Sequence, residues 1–370
     1  MVFINQGLDQ QDLRVVYCHG NKKECQKLPS KRVLVYKNKK ICVIVPAYNE
    51  GTQIAGVIET MPDFVDAVVV IDDASSDDTV RVVKELQQGR ADLFLIEHEQ
   101  NQGCGGAVIT GYEWAAKQDF EVVVRMDGDG QMNPEDLSAL IDLVAAGAAD
   151  FAKGNRFFSG KAYEVMPKLR FLGTAFLSLL TKIVSGYWHL SDFQSGYVAI
   201  SKKALETVDW QQMYKRYGQP NDQLILLNVY NFRVQDVPVD PVYHVGEVSG
   251  IKIKKVMFTL GWLLVKQFFW GLKEKYIIRD FHPLVFFYAM GLSLGGMSLL
   301  LFVRVFYIWA ASGNIPTINA FAAFSSFIAA AQFTLFAMWF DMEANKHSMR
   351  VHYWQICVCF GRSSHYLGYF

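Results

Sequence analysis

"ICVIVPAYNE", Ile41 to Glu50, runs from an unbroken apolar stretch directly into a polar turn that ends in an acid. A strand covered by helices on both faces reads this way, as a continuous apolar run rather than an alternation. The pattern recurs downstream. "AVVVID" leads into "DASSDD", "DLFLI" precedes a glycine-rich turn at Gly103, and "EVVVRM" enters "DGDGQ". Helical segments separate these strands. One follows "AYNEGTQ" and runs through Ile58, and one covers "SSDDTVRVVKELQQG", with Ser76 or Asp77 as cap and Gly89 as stop. A third follows Gly103, and a fourth opens at Asn133 and Pro134 with Glu135 and Asp136 in its first turn. The alternation predicts an α/β fold with a doubly wound, mostly parallel sheet, in which ligands bind beyond the carboxyl ends of the strands. "AYNE", "DDASSDD" and "DGDGQ" all fall at such ends and point to one site.

Asp127 and Asp129, two positions apart, admit more than one reading. A calcium loop of the EF-hand type starting at Asp127 needs glycine sixth and glutamate twelfth, and the chain has Met132 and Ser138 there. A solvated Asp-Gly turn and a hard-cation site for Mg²⁺ or Mn²⁺ fit the motif equally well. The glycines of "NQGCGGAVITG" follow the third strand, whereas a dinucleotide fingerprint follows the first. They are better suited to close packing of a helix amino terminus near a ligand.

The chain has 370 residues, with 36 basic and 36 acidic side chains, so its charge balance does not call for nucleic acid. Its six cysteines show neither a pairing pattern nor zinc-ligand spacing, which fits a reducing compartment. No apolar core follows a basic start at the amino terminus, so no cleavable signal peptide is expected. No Asp, Glu, Lys or Arg occurs between Asp280 and Arg304, nor from Val305 to Phe340. About 20 apolar residues span the hydrocarbon core, so transmembrane helices are expected at Pro283 to Trp309 and Ile318 to Phe340. Lys273, Lys275 and Arg279 precede the pair and Lys346 and Arg350 follow it, which predicts cytoplasmic termini. Before the spans, Gly250 to Asp280 interleaves seven basic residues with Phe258, Trp262, Phe268, Phe269 and Trp270. Such a segment reads as a helix in the headgroup layer. Lys168 to Trp188 has a similar character and reads as a second interfacial helix, with a buried core helix as the alternative.

"VIVPAYNE", "VVVIDDASSDDT", "NQGCGGA" and "RMDGDGQ", in that order and spacing, resemble the nucleotide-sugar-binding half of family 2 glycosyltransferases, whose domain is of the type A fold. Within that family the chain is similar to dolichyl-phosphate mannose synthase and other polyprenyl-phosphate glycosyltransferases. The resemblance covers about Ile41 to Lys255 and extends to the hairpin. It implies that Pro46, Tyr48 and Glu50 surround base and ribose, that Asp73 reads the base edge, and that Gly105 lies near the nucleotide sugar. By the same token Asp127 and Asp129 bind the metal, with Gln131 beside them. Arg156 supplies a basic contact after the fifth strand, and Arg170 a second near the acceptor phosphate. Asp192, Gln194 and Ser195 line donor sugar and acceptor. Asp222 stands where relatives carry an acid, although a helix cap is an equal reading. Where the family usually has an arginine before a Gly-x-Ser-Lys element, this chain offers His244, Gly246, Ser249 and Lys252, with Lys254 as a further substitute.

The expected layout is a polar extension over 1–40, a cytoplasmic glycosyltransferase domain over 41–249 with an interfacial helix at about 167–188, juxtamembrane helices over 250–282, a transmembrane pair over 283–340 and a cytoplasmic tail over 341–370. The expected partners are a nucleotide sugar, a polyprenyl or dolichyl phosphate and the lipid bilayer, and the hairpin is compatible with a homo-oligomer. The resemblance and the interfacial segments imply inverting transfer of a hexose, from a GDP-mannose or UDP-glucose type of donor, to the lipid phosphate. A processive synthase or other membrane glycosyltransferase with a hydroxyl acceptor is the first alternative, and a non-catalytic nucleotide-binding adaptor the second. Gly128 is expected to let the backbone bend so that both carboxylates approach one ion.

Overall fold

The computed structural model of the chain describes residues 39–158, 168–240 and 253–349. The edge strand predicted at "RVLVY" and the tail after Met349 lie outside these residues. In chain order the main elements are β1 (Ile41–Ala47), α1 (Ile54–Glu59), β2 (Ala67–Asp72), α2 (Thr79–Gln87), β3 (Leu93–Glu97), α3 (Cys104–Ala116), β4 (Val122–Arg125), α4 (Leu137–Ala145), β5 (Phe151–Asn155), α5 (Lys168–Ser185), β6 (Val198–Ser201), α6 (Lys202–Thr207), α7 (Gln219–Val229), β7 (Val234–Pro238), α8 (Ile253–Lys273), α9 (Leu284–Ser312) and α10 (Thr317–Ala344).

Every residue of β1, β2 and β4 is buried. Their continuous apolar runs are explained by two cores, one on each face of the sheet. Val43 and Val45 point into the core with α1 and α4, and Cys42 and Ile44 into the core with α3. The sheet has seven strands in the order β3-β2-β1-β4-β6-β5-β7. β1 runs parallel to β2 and β4, while β6 is antiparallel to both β4 and β5. Two reversals return β5 to the direction of β4, so the carboxyl ends of β1, β2, β4 and β5 share one edge. The doubly wound, mostly parallel sheet expected from the sequence is present, with β6 as the inserted exception. The helix expected at Asn133 forms as predicted: Asn133 Oδ1 accepts from the Glu135 amide, and a 3₁₀ turn at Pro134–Asp136 leads into α4.

On α8, Leu260, Leu263 and Leu264 face inward, whereas Trp262, Val265 and Phe269 are exposed. The described part of α5 likewise turns Phe176 and Leu179 outward and buries Thr181 and Ser185. A π-helical turn, Glu274–Arg279, joins α8 to the terminal helices. Of 29 and 28 residues, α9 and α10 are long and apolar enough to cross a membrane. They pair through Phe287 against Phe333, Phe336 and Phe340, and through Ser298 Oγ, which donates to the Ala323 carbonyl at 2.9 Å. Gly313, at φ 71°, closes α9 in the left-handed conformation that favours glycine.

Candidate active site

The carboxyl edge of the sheet gathers the polar turns. After β1, Asn49 Oδ1 accepts from the Ser76 amide (2.8 Å), Thr79 Oγ1 from the Glu50 amide (2.9 Å) and Asp77 Oδ2 from the Gly51 amide (2.9 Å). The turns after β1 and β2 are thereby zipped together, and Tyr48 stands half exposed above them. Pro46 contributes its carbonyl to the Gly128 amide, which fastens the turn after β4 to the end of β1.

Asp73 is buried. Its Oδ1 accepts from the Gln102 amide (2.8 Å) and pairs with His98 Nδ1 (2.8 Å), and its Oδ2 accepts from the Gly103 amide (2.7 Å). His98 Nε2 in turn meets Thr110 Oγ1 at 2.9 Å. The acid expected to read a base edge therefore also anchors the glycine turn that opens α3. That turn packs against its own chain: a Cβ on Gly105 would lie 2.3 Å from the Tyr214 carbonyl oxygen, with Lys215 backbone at 2.9 Å. Gly105→Ala is accordingly expected to destabilise the fold by about 3 kcal/mol, since backbone cannot yield as a side chain does. Gly56→Ala, at an open position in α1, is expected to be neutral or stabilising by up to about 1 kcal/mol. Equal thermal midpoints for the two variants would contradict this account of Gly105.

The turn after β4 holds the acidic pair. Asp127 lies under the buried guanidinium of Arg125, which donates from Nε to Oδ1 (2.8 Å) and from Nη2 to Oδ2 (3.2 Å). Arg125 also donates to Gln219 Oε1 (2.5 Å) at the start of α7, and Gln219 continues to Gln223 and Tyr112. Asp127 keeps a quarter of its side chain exposed. Asp129 Oδ1 accepts from the Gln131 amide at 3.0 Å. The expectation for Gly128 is corrected by the geometry: its φ is not left-handed, and a Cβ there would press on Ile54, the Pro46 carbonyl and Ala47 at 3.2–3.4 Å. Gly130, at φ 73°, makes the bend.

Ahead of β6, Asp192 is fully buried and takes Arg156 bidentately, Nε at 2.7 Å and Nη2 at 3.0 Å. Asp192 Oδ1 also accepts from the Gln194 amide, and Gln194 Nε2 donates to Asn221 Oδ1 at 3.0 Å. Burial works against its charge, but Lys153 and Arg156 together hold the Asp192 carboxyl down at about 2. Ser195 is buried beside Gly154.

Asp222 sits inside the first turn of α7 rather than at its cap, which Gly218 occupies. Its Oδ2 accepts from the Tyr214 amide at 2.6 Å, and burial lifts its carboxyl from 3.8 to about 6. Between those values the folded chain binds a proton that the unfolded chain has released, so this group costs stability as pH rises through about 4 to 6. Asp222→Asn, which retains an acceptor for the Tyr214 amide, is expected to raise stability above pH 6 by about 2 kcal/mol. It is also expected to remove that slope from a pH series of thermal midpoints; an unchanged slope would exclude Asp222 as its source.

Residues 42–209 match the model of glycosyl transferase family 2. A UDP-N-acetylglucosamine–dolichyl-phosphate N-acetylglucosaminyltransferase of Methanococcus voltae is 32% identical over 219 residues, which cover 56% of this chain and 87% of that protein. The chain belongs to glycosyl transferase family 2. A polyprenol monophosphomannose synthase of Mycolicibacterium smegmatis is 29% identical over 225 residues, 59% of this chain and 84% of the relative. An undecaprenyl-phosphate mannosyltransferase of Micrococcus luteus is 29% identical over 203 residues, covering 54% and 82%. Among solved structures, the UDP complex of glucosyl-3-phosphoglycerate synthase from Mycobacterium tuberculosis aligns with a TM-score of 0.47 at 18% identity, covering 63% of this chain and 82% of that one.

In this family 2 glycosyltransferase, hydrogen bonds link the expected site residues of three elements: Asp127 through Arg125 to α7, and Asp192 through Gln194 to the same helix. The backbone at Arg170 lies in α5, while His244, Ser249 and Lys252 fall outside the described residues. Sequence reasoning missed Arg125, Gly196 and Lys153. A Cβ on Gly196 would lie 2.8 Å from both Arg125 Nη2 and Asp127 Oδ2, so only glycine lets this backbone pass the ion pair. The third residue, Lys153, is 1% exposed. Among the described residues its Nζ has no hydrogen-bond partner, and the charges of Asp192 and Asp236 offset its own.

Proposed function

We propose that this glycosyltransferase moves a hexose or N-acetylhexosamine from a nucleoside-diphosphate sugar to a polyprenyl or dolichyl phosphate at a membrane surface, with inversion. One observation carries the reading: α7, which holds the acid-and-arginine cluster through Gln219 and Asn221, is hydrogen-bonded at its other end to Lys275, just ahead of the apolar pair α9 and α10, whose outward faces are aromatic and aliphatic. Such faces suit an enzyme that works at a lipid surface, where a lipid-borne acceptor is presented. The relatives named for dolichyl, polyprenol and undecaprenyl phosphate support the same acceptor class.

A lipid phosphate changes what the protein must supply. A phosphate monoester is already anionic near neutral pH, with a second ionisation near 6, so no strong general base is required. The chain has to orient two anions and stabilise the departing diphosphate. Arg156, held rigid by Asp192, presents a fixed cation to the donor or acceptor phosphate. Tyr48 and Glu50 flank the nucleoside. Among the described residues no group of three or more His, Cys, Asp or Glu side chains could hold a metal ion. Two carboxylates on one turn nevertheless suit Mg²⁺ or Mn²⁺, which are commonly bound by one or two carboxylates and completed by substrate phosphates. Asp127 and Asp129 would hold the ion, and it would supply positive charge to the leaving diphosphate. The flanking basic residues support a catalytic domain and termini on the cytoplasmic side.

The test is direct. The purified full chain is incubated with polyprenyl phosphate, Mg²⁺ or Mn²⁺, and labelled nucleotide sugars, with UDP-N-acetylglucosamine, UDP-glucose and GDP-mannose as separate arms. Lipid-extractable label is expected with at least one donor; none with any donor would overturn the reading.

A further inference from the structure

We propose that a buried polar joint between the end of α10 and the far end of α7 sets the position of the active site relative to the hairpin. Asn228, Lys275, Asp341 and Asn345 are then positioning residues for a membrane-borne acceptor. The inference rests on the functional reading above and deepens it.

All three hydrogens of the Lys275 ammonium are used: Nζ donates to the Asn228 carbonyl (3.0 Å), to Asn228 Oδ1 (2.8 Å) and to Asn345 Oδ1 (2.6 Å). Asp341 Oδ2 accepts from Trp188 Nε1 (3.0 Å), and its Oδ1 from the Tyr276 hydroxyl (2.6 Å) and from Asn345 Nδ2 (3.1 Å). Asn228 Nδ2 closes the ring on Asn345 Oδ1 at 2.7 Å. Asn228, Lys275, Asp341 and Asn345 are all buried. The loop at Gly186 approaches so closely that a Cβ would lie 2.6 Å from Asn345 Nδ2.

Apolar packing would join these elements with equal or greater stability, because burying charges carries a desolvation cost. A fully satisfied polar network does something apolar packing does not: it accepts one arrangement and rejects its neighbours. What it fixes here is α7, a rod of about 16 Å. One end of the rod is Asn228. The other carries Gln219, which holds Arg125 and through it Asp127, and Asn221, which holds Gln194. Every residue from Asn221 to Val229 is buried, so a shift at the joint moves the site as a body. Trp188 adds a second route, four positions before Asp192.

The experiment compares two acceptors with the full chain in lipid nanodiscs: a long polyprenyl phosphate embedded in the bilayer, and a short, water-soluble prenyl phosphate. Lys275→Met and Asn345→Leu are expected to lower kcat/KM for the embedded acceptor about tenfold or more, while the soluble acceptor and the donor KM stay within about twofold of the unaltered chain. Trp188→Phe, which removes one hydrogen bond and little volume, is expected to show the same split at about threefold and guards against misfolding of the other two. Equal loss with both acceptors, or loss with neither, would overturn the inference and leave the functional reading intact. An unaltered chain that transfers to neither acceptor would overturn both.

Discussion

Asp129→Asn is expected to lower sugar transfer by at least about 100-fold, the scale on which a single electrostatic contact to a developing anion contributes. The substitution is nearly isosteric, and the amide oxygen can still accept from the Gln131 amide, so the turn should keep its shape. What disappears is one negative charge at the place proposed to hold a divalent ion against the diphosphate. An unchanged thermal midpoint would localise the loss to chemistry rather than folding. Asp127→Asn should behave differently. Its carboxylate neutralises Arg125, a guanidinium only 4% exposed in its side chain, so its loss is expected to reduce stability as well as activity. Full activity of Asp129→Asn with metal present would exclude the metal role assigned to it.

Asp192→Ala is expected to cost about 3–5 kcal/mol, because removing one member of a buried ion pair leaves the others uncompensated. Asp192 is 0% exposed and accepts two hydrogen bonds from the Arg156 guanidinium and a third from its backbone amide. It also offsets Lys153, whose buried ammonium has no hydrogen-bond partner among the described residues. The same argument predicts a rescue: adding Lys153→Met should recover part of the loss, a non-additivity expected only of groups that interact. The pH dependence has a definite sign. With its folded value near 2 and its ordinary value at 3.8, Asp192 contributes stability that is present above about pH 4 and lost as pH falls toward 2. In Asp192→Asn the acid limb of a pH series of thermal midpoints should be shallower. Thermal midpoints of Asp192→Ala equal to those of the unaltered chain would contradict the pairing.

Most of the parallel half of the sheet was legible because β1, β2 and β4 are buried on both faces, and an unbroken run such as Val68 to Ile71 has no other economical reading. β6 was not: "VAIS" is four residues long, and its antiparallel seat between β4 and β5 depends on pairings with residues 45 to 79 positions earlier. The acids at the strand ends were visible as composition, but their partners were not. Asp73 is held by His98, Gln102 and Gly103, which reach it only through the adjacent turn. Arg125 reads as an ordinary strand residue until its guanidinium is seen folded back on Asp127. Lys275 read as one more flanking charge; it lies in the interior, clamped by two asparagines. In each case local pattern supplied the residue and tertiary contact supplied its use.

On the reading proposed here, the acceptor atom is a lipid phosphate oxygen. Presenting the purified chain with labelled donor and equimolar polyprenyl phosphate and polyprenol, in the same membrane, tests it most directly. Label is expected in a sugar–phosphate–lipid product, released as free sugar by mild acid, and none in the alcohol's glycoside. Label on polyprenol, or an acid-stable lipid product, would contradict it.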